Sequence, residues 1–213
     1  MGLKNKKILI TAGPTWVAID RVRVISNTAS GETGIMIAEA LVNQGAKVTL
    51  ILGPVGACCI NRKIKVIPFK FFDELKKITQ RQILTEDFDA IIHSAAVSDY
   101  KPKGNLGRKI ASGKPVLRID LVPTDKIINR FKKADQGTFL VGFKFEPDAA
   151  KYKLIKESRA LMKQSWADLV VANTVGPRGY KAFIVGTNKV YGSASRKNEL
   201  CKKLITAIAE GIF

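Results

Sequence analysis

Cysteine and histidine are scarce in this chain of 213 residues, which has three cysteines and one histidine. Cys58, Cys59 and Cys201 form neither a CxxC motif nor an even set, and adjacent cysteines are poorly placed to bridge each other. We therefore expect reduced thiols. A single histidine, His93, argues against a zinc site of clustered Cys and His side chains, and we predict no metal site built by the protein alone.

Long apolar runs are also missing. Segments such as residues 48–52 and 139–143 have the length of a strand, far short of the roughly 20 residues that span a bilayer. The basic N-terminus leads into a predicted strand without the apolar region and cleavage site of a signal peptide. We predict a cytoplasmic protein with an uncleaved N-terminus and no membrane partner.

Acidic residues are too few to balance the basic ones, since 18 Asp and Glu face 36 Lys and Arg and give a formal charge of +18. Such a charge favours an anionic partner, and nucleic acid, anionic lipid or a polyphosphate substrate would each qualify. The cations are scattered along the chain without a basic tail. We interpret them as a solvated cationic surface and do not expect nucleic acid as the main partner.

Apolar segments with strand and helix periods alternate along the chain, whose apolar content is 46%. Predicted strands cover residues 7–11, 47–52, 66–69, 89–93, 116–122, 138–143 and 168–172, and predicted helices cover residues 32–43, 72–84, 149–164 and 196–212, with another helix from Asp125. Residues 183–185 and 189–191 predict a hairpin. We therefore predict one domain, residues 1–213, with a Rossmann-like, doubly wound α/β fold: a mostly parallel sheet with a small C-terminal β-hairpin.

Ligands of doubly wound sheets bind at the carboxyl ends of the strands. The polar loops after Thr11, His93 and Phe143 should therefore meet at one site. Residues 97–115 carry Gly, Pro and basic residues without periodicity, which is typical of a functional or disordered loop. Lys109 in this loop could close over a triphosphate, or it could be an ordinary solvated lysine.

The first two loops each allow two interpretations. Small residues before the helix at residue 32 could bring backbone N–H groups to a phosphate or carboxylate, or Ser30 or Thr28 could simply cap the helix. The small residues after His93 could expose backbone to a nucleobase beside Asp99, or they could only permit close packing. We expect His93 itself to be a satisfied residue at a strand end.

A nicotinamide-dependent oxidoreductase is the competing hypothesis for a chain that starts with a βαβ pattern. The GxGxxG motif is missing after the first strand, and Gly53 stands where an acidic residue would hold the ribose. Tyr152 and Lys156 have the spacing of a short-chain dehydrogenase pair, which is common on any helix. This alternative is weakly supported.

Seven short segments together resemble the phosphopantothenoylcysteine synthetase family. They are ITAGPT at 10–15, IDRVRVISN at 19–27, SGETG at 30–34, AAVSDY at 95–100, Lys109-Ile110, VGF at 141–143 with Glu146, and DLVVAN at 168–173. Their order and spacing follow the family over nearly the whole chain. The resemblance implies a Rossmann-like homodimer that activates 4′-phosphopantothenate as an acyl-nucleotidylate with CTP or ATP and Mg²⁺, releases pyrophosphate, and joins the acyl group to cysteine.

The resemblance also implies roles for individual residues. Asn27 would orient the acyl group, Arg23 would support its loop, and Lys109 would bind the triphosphate. The nucleotide would further contact His93, Ser94, Ala95, Asp99, Asp125, Lys126, Ile127, Ile128, Phe143 and Lys163. The substrates would contact Gly13, Thr15, Asn27, Ser30, Gly31 and Asn173.

Three positions depart from the family pattern. Val17 replaces a glutamate, Glu32 replaces a lysine, and Ser165 replaces a lysine that acts on phosphates, so that Lys163 or Lys156 would have to substitute for it. These changes leave open a basic nucleotide-binding module that has lost the chemistry. The first motif lies close to Met1, and we expect no flavin-dependent decarboxylase half.

Overall fold

A computed structural model describes residues 2–56, 60–104, 107–113 and 115–212. In chain order its strands are β1 (Lys7–Ala12), β2 (Trp16–Ala18), β3 (Val24–Ser26), β4 (Lys47–Leu52), β5 (Lys65–Pro68), β6 (Ala90–His93), β7 (Tyr100–Pro102), β8 (Leu121–Pro123), β9 (Phe139–Phe145), β10 (Leu169–Gly176), β11 (Gly179–Val185) and β12 (Val190–Ala194). Its helices are α1 (Glu32–Asn43), α2 (Phe72–Thr85), α3 (Phe131–Ala134), α4 (Lys151–Ser165) and α5 (Lys197–Ile212), and a 3₁₀ turn covers Ile127–Arg130.

Eight strands form one sheet in the order β12-β11-β10-β9-β6-β1-β4-β5. The six strands from β10 to β5 are parallel, whereas β11 and β12 add an antiparallel edge. Along the chain, the sheet grows from β1 first to β4 and β5 and then, on the other side, to β6, β9 and β10. The strand order therefore reverses between β1 and β6, where folds of this type bind their ligands.

Apolar side chains of the sheet alternate between two cores because successive residues of a strand point to opposite faces. Ile8 and Ile10 of β1 pack in the core beneath α1 and α5, and Leu9 packs in the core beneath α2, α3 and α4. Helices thus cover both faces of the sheet. The prediction of a Rossmann-like, doubly wound α/β fold is confirmed.

The boundaries of α1 agree with the sequence prediction, and its buried face and C-terminal end have clear signals. Ile37, Ala38 and Leu41 are fully buried at helical spacing. Gly45 follows the helix with φ +82°, a left-handed conformation that favours glycine. The N–H of Gly45 donates to the carbonyl of Val42 at 2.9 Å and closes the last turn.

Two predicted elements in the middle of the chain are only partly formed. Residues 116–122 do not join the main sheet, and only β8 is formed there, paired antiparallel with β7. Val116 and Leu117 are 67% and 45% exposed, so their side chains lack the burial that a central strand provides. The helix expected from Asp125 is a 3₁₀ turn followed by the four residues of α3.

Hairpins complete the architecture at both ends. The predicted C-terminal hairpin is confirmed as β11 and β12, and it pairs with β10 at the edge of the main sheet. The β2–β3 hairpin was not predicted, and it follows the first loop after β1. In the ranges that the structure describes, no helix is long and apolar enough to cross a membrane.

Candidate functional site

The loops that follow β1 and β6 remain paired beyond the ends of their strands. The N–H of Ser94 donates to the carbonyl of Thr11 at 3.0 Å, and the N–H of Ala96 donates to Gly13 at 2.9 Å. A third bond runs from the N–H of Thr15 to the carbonyl of Ala96 at 3.2 Å. The two predicted ligand-binding loops therefore lie side by side at the point where the strand order reverses.

The N-terminus of α1 packs closely on these loops. A Cβ atom on Gly34 would lie 2.4 Å from Cβ of Ala12 and 2.6 Å from Oγ of Ser94. A Cβ atom on Gly31 would lie 3.3 Å from Cα of Gly13. Glycine at these positions lets the first turn of a 12-residue helix face the crevice, where its backbone N–H groups favour an anion.

The cap of α1 is neither of the two residues considered from the sequence, Ser30 and Thr28. Gly31 occupies the N-cap position with φ +72°. Oγ of Ser30 accepts from the N–H of Glu32 at 3.4 Å, which is longer than an ordinary N–H···O bond of about 3 Å. The helix terminus thus retains weakly satisfied donors, as an anion-binding terminus requires.

Asn27 lies directly against the loop that follows β6. Its side-chain Nδ2 donates to the carbonyl of Ala96 at 3.0 Å. The neighbouring Ser26 donates through Oγ to the carbonyl of Thr15 at 3.2 Å. The end of β3 is therefore tied to both ligand-binding loops, and Asn27 stands at the crevice that its predicted role requires.

Arg23 connects this hairpin with the loop that carries Lys109. Its Nη1 donates to Oδ2 of Asp20 at 2.6 Å and to the carbonyl of Ile110 at 3.4 Å. Lys109, the residue before Ile110, is exposed. The structure thus places the segment of Lys109 beside the hairpin that leads to Asn27, although the two residues are 82 positions apart in the sequence.

The segment before the 3₁₀ turn lies against the loop after β6. Oγ1 of Thr124 donates to the carbonyl of Ser98 at 2.6 Å, and its N–H donates to the carbonyl of Asp99 at 2.9 Å. Nζ of Lys126 and Oδ1 of Asp99 are 2.6 Å apart. Two predicted nucleotide ligands, Asp99 and Lys126, are therefore in direct contact.

Apolar side chains form the floor next to this segment. Ile127 and Ile128 are buried, and a Cβ atom on Gly142 would lie 2.9 Å from Cδ1 of Ile128. Phe143, the next residue of β9, is partly buried. Ile128 packs in the core on the α2, α3 and α4 side, whereas Phe143 packs against the core on the α1 and α5 side. These two predicted nucleotide ligands therefore lie on opposite faces of the sheet, close to where β9 pairs with β6.

The side chain of Asp125, which was predicted to contact the nucleotide, forms ion pairs with residues that were not assigned to the nucleotide site. Its Oδ2 forms ion pairs with Nζ of Lys76 on α2 and, at 3.2 Å, with Nη2 of Arg130. These ion pairs, with the Lys76 hydrogen bond as the main cause, lower the pKa of Asp125. In this structure its carboxylate joins the 3₁₀ turn to α2.

Two predicted site residues lie apart from the crevice. Asn173 of β10 pairs with Phe145 at the carboxyl end of β9, and β10 is three strands from β1, which corresponds to about 14 Å at the usual strand spacing. Lys163 lines a cavity of about 890 Å³ with Phe139 and Leu169, the first residues of β9 and β10. That cavity is at the amino ends of the strands, so this chain alone does not bring Lys163 to the other nucleotide ligands.

His93 is the buried histidine that the sequence predicted at a strand end. Its side chain is packed edge-on against Phe131, with 5.3 Å between the ring centroids, and its Nδ1 lies 2.8 Å from Oγ1 of Thr11. Burial lowers the pKa of His93 to about 4. The imidazole is therefore neutral at pH 7, and its hydrogen bond positions Thr11 at the end of β1.

We expect His93 to make the protein less stable in mild acid. Because its pKa is about 4 when folded and 6.5 when unfolded, the unfolded chain binds more protons between these pH values. Stability is thus full above about pH 6.5 and falls as the pH drops toward 4, with a loss of about 2 kcal/mol between pH 7 and pH 5. Urea unfolding at both pH values should show that His93→Gln lacks this loss. Equal pH dependence in both proteins would contradict the assignment.

The three departures from the family pattern are each accommodated by local contacts. Val17 is buried, with 5% exposure, in the apolar core on the α2 side. Glu32 forms an ion pair with Lys197 of α5. Ser165 is buried, and its Oγ donates to the carbonyl of Leu161 at 2.7 Å. The core that contains Val17 also includes Ala95 and Val97 of the loop after β6.

The features that favoured an oxidoreductase find no support in the structure. Tyr152 is 78% exposed on α4, a helix that packs on β9, β10 and β11.

Cys58 and Cys59 lie outside the described residues, and Cys201 is a buried free thiol whose pKa burial raises to about 11. A nucleophilic thiolate at Cys201 is therefore disfavoured.

Sequence reasoning missed Asp20, Ser98 and Thr124, which hold the loops of the site together. An Asp at the start of a turn is a recognisable local signal, and Asp20 does bond the N–H groups of Val22 and Arg23 at 2.7 and 2.8 Å. Its contact with a loop 90 residues away has no local signal. The same holds for the bonds that join Ser98 to its partners on distant segments.

Comparison with protein families supports one relationship. The model of the DNA/pantothenate metabolism flavoprotein C-terminal domain matches residues 3–213. Among curated proteins, the coenzyme A biosynthesis bifunctional protein CoaBC of Thermococcus kodakarensis is 37% identical over 189 residues, which cover 88% of this chain and 45% of that protein.

Solved structures share the fold. A DNA/pantothenate metabolism flavoprotein from Streptococcus pneumoniae is 28% identical with a TM-score of 0.88, covering 97% of this chain and 99% of that one. A Cab2 mutant in complex with phosphopantothenate-cysteine is 18% identical with a TM-score of 0.73, covering 97% of this chain and 87% of that one, and it shows the fold alone. The chain spans about half the length of the curated relatives it matches.

Proposed function

Because the chain belongs to the DNA/pantothenate metabolism flavoprotein C-terminal domain family, we propose that it is a phosphopantothenate–cysteine ligase of coenzyme A biosynthesis. One observation carries the proposal. Asn27 contacts the loop after β6 at the reversal of strand order, and the hairpin that precedes it also holds the segment of Lys109. A carboxylate and a triphosphate could meet in that crevice.

The proposed reaction has two steps. The carboxylate of 4′-phosphopantothenate attacks the α-phosphorus of the nucleotide, and pyrophosphate leaves as the acyl-nucleotidylate forms. The amine of cysteine then attacks the acyl carbon, loses a proton, and the nucleoside monophosphate leaves. Neither step requires a nucleophilic side chain, since the protein accelerates such transfers by positioning the reactants and stabilising the charge that develops.

The residues of the crevice suit these tasks. The N–H groups at the start of α1 and the side chain of Asn27 would orient the anionic acyl group. Lys109 would neutralise the triphosphate. Backbone groups after β6, with Asp99, would hold the base and ribose beside the apolar side chain of Ile128.

Mg²⁺ is proposed as the metal that accompanies the triphosphate. Within the described ranges, no three His, Cys, Asp or Glu side chains are grouped to hold a metal ion. This fits Mg²⁺, which proteins usually bind through one or two carboxylates together with substrate phosphates and water. When bound, the ion would neutralise phosphate charge.

Further features of the proposal come from the family resemblance. We propose CTP ahead of ATP as the co-substrate, a homodimer as the working form, residues 1–213 as one domain, and the cytoplasm as the location. A dimer is relevant to Lys163, because a residue that lies apart from the crevice of its own chain could reach a site of the partner.

The central test is release of pyrophosphate by the purified protein. Incubation with 4′-phosphopantothenate, cysteine, Mg²⁺ and either CTP or ATP should release pyrophosphate and form phosphopantothenoylcysteine, with the higher rate for CTP. Reactions without phosphopantothenate should release none, because no carboxylate is present to attack the nucleotide. Failure to release pyrophosphate with both nucleotides would refute the proposed function.

A further inference from the structure

Asp20 is a buried carboxylate at the turn between β2 and β3, and both of its oxygens accept hydrogen bonds. Its side chain is 0% exposed. Oδ1 accepts from the backbone N–H groups of Val22 at 2.7 Å and Arg23 at 2.8 Å. Oδ2 accepts from Nη1 of Arg23 at 2.6 Å and from the N–H of Ile110 at 3.0 Å. One carboxylate therefore joins its own turn to a distant loop.

The same ion pair holds both polar backbone groups of Ile110. Its N–H donates to Asp20, and its carbonyl accepts from Nη1 and Nη2 of Arg23 at 3.4 and 3.5 Å. The neighbouring side chain, that of Lys109, is exposed. The position of Lys109 thus depends on how firmly Asp20 and Arg23 hold the next residue.

The hairpin continues from this ion pair to the crevice. Arg23 is followed by the three residues of β3 and then by Asn27, which donates to the carbonyl of Ala96 at 3.0 Å. An extended chain of four residues spans about 13 Å. The bonds from Arg23 to Ile110 and from Asn27 to Ala96 therefore lie at the two ends of one short extended segment.

We propose that Asp20 is a positioning residue whose carboxylate, together with Arg23, fixes the backbone of Ile110 on the β2–β3 hairpin and thereby sets Lys109 relative to Asn27. This inference rests on the proposed function, because it concerns the two side chains assigned to the reacting groups. Asp20 itself contacts no substrate.

The geometry requires a carboxylate rather than an amide. Each oxygen of Asp20 faces two donors, so an asparagine would place its NH₂ group against one of these pairs in either orientation. Buried N–H groups without an acceptor are costly. The N–H groups of Ile110 and Val22, the two main causes, lower the pKa of Asp20 to about 2, and the side chain is therefore ionised throughout the neutral range.

The first experiment tests the tether, which is the set of bonds from Asp20 and Arg23 to the backbone of Ile110, and it needs no substrate. Trypsin cleaves after Arg108 and Lys109, and Asp20→Asn should raise the cleavage rate there about tenfold, because a released loop samples open conformations more often. Asp135→Asn is the matched control. Asp135 also accepts from nearby donors of its own turn, Gly137 at 2.8 Å and Thr138 at 2.6 Å, and neither of these bonds involves the described residues of the loop that carries Lys109. Equal cleavage of the Asp20→Asn and native chains would overturn the tether.

The second experiment is a double-mutant cycle on ligase activity. Asp20→Asn should lower kcat about tenfold, and adding it to Lys109→Gln should lower kcat no further, because Asp20 acts through Lys109. A purely structural role would give additive losses, and additive losses would overturn the positioning role. If Asp20→Asn does not fold, Ile110→Pro replaces it: this variant removes the N–H donor from the loop side and leaves the hairpin intact.

These outcomes separate the inference from the proposed function. An inactive native protein refutes the ligase function, whereas the cleavage rates still decide whether Asp20 holds the loop. An active native protein with additive losses refutes the positioning role alone.

Discussion

Lys109→Gln should lower kcat/KM for the ligase reaction about a thousandfold, the upper range for loss of one group that stabilises transition-state charge. The substituted side chain keeps its polarity and approximate length but loses the positive charge that would neutralise the triphosphate. Lys109 is exposed, so the melting temperature should change by no more than about 1 °C. The measurement is the rate of pyrophosphate release at varied nucleotide concentration, together with thermal unfolding.

Lys103→Gln is the matched control for this variant. Lys103 is an exposed lysine that follows β7, and its backbone N–H donates to the carbonyl of Asp120 at 2.8 Å, a bond that the substitution retains. Lys103→Gln removes the same positive charge as Lys109→Gln, from a position six residues earlier in the chain. If both variants lost activity equally, general attraction of the anionic nucleotide would explain the effect and Lys109 would have no specific role.

Asn27→Asp should lower kcat about a hundredfold. The substitution exchanges the Nδ2 donor, which bonds the carbonyl of Ala96 at 3.0 Å, for an oxygen that faces that carbonyl without a proton. It also adds a negative charge where the proposed reaction brings a carboxylate and a phosphate together. Both effects oppose the orientation of the acyl group, and steady-state kinetics with saturating substrates would measure the loss.

Asn43→Asp provides the comparison for Asn27→Asp. Asn43 is an exposed residue at the C-terminal end of α1, away from the first turn of the helix. Its substitution adds the same charge, with a stability cost below about 1 kcal/mol from the helix dipole, and should leave kcat within about twofold of the native value. Full activity of the Asn27→Asp variant would show that the acyl group is oriented by other groups.

Local patterns in the sequence predict much of the fold correctly. The boundaries of α1 and β4 agree with prediction because buried residues at clear periods are bounded by strong signals such as Gly45. Residues 116–122 contain enough apolar side chains to predict a strand. Only the last two of these residues belong to a strand, β8, because no neighbouring strand of the main sheet is available there to bury Val116 and Leu117.

The candidate site is predictable only in part. Parallel strands in sequence order place the loops after β1, β6 and β9 together, and Asn27, Asp99, Lys126 and Ile128 are found around them. Lys163 was assigned to the nucleotide through motif order, but it lies at the amino ends of the strands. Order along the chain does not tell which end of a helix faces the crevice.

By itself, the sequence determined the alternation of strands and helices, the family, and the loops that carry the polar groups, because periodicity and motif spacing are properties of neighbouring residues. Only the tertiary structure decided that Asp20 and Arg23 hold Ile110, that α1 packs through Gly34 on Ala12, and that Lys163 is remote from the crevice. Those contacts join segments far apart in the chain, and their geometry depends on sheet order and packing that no local pattern encodes.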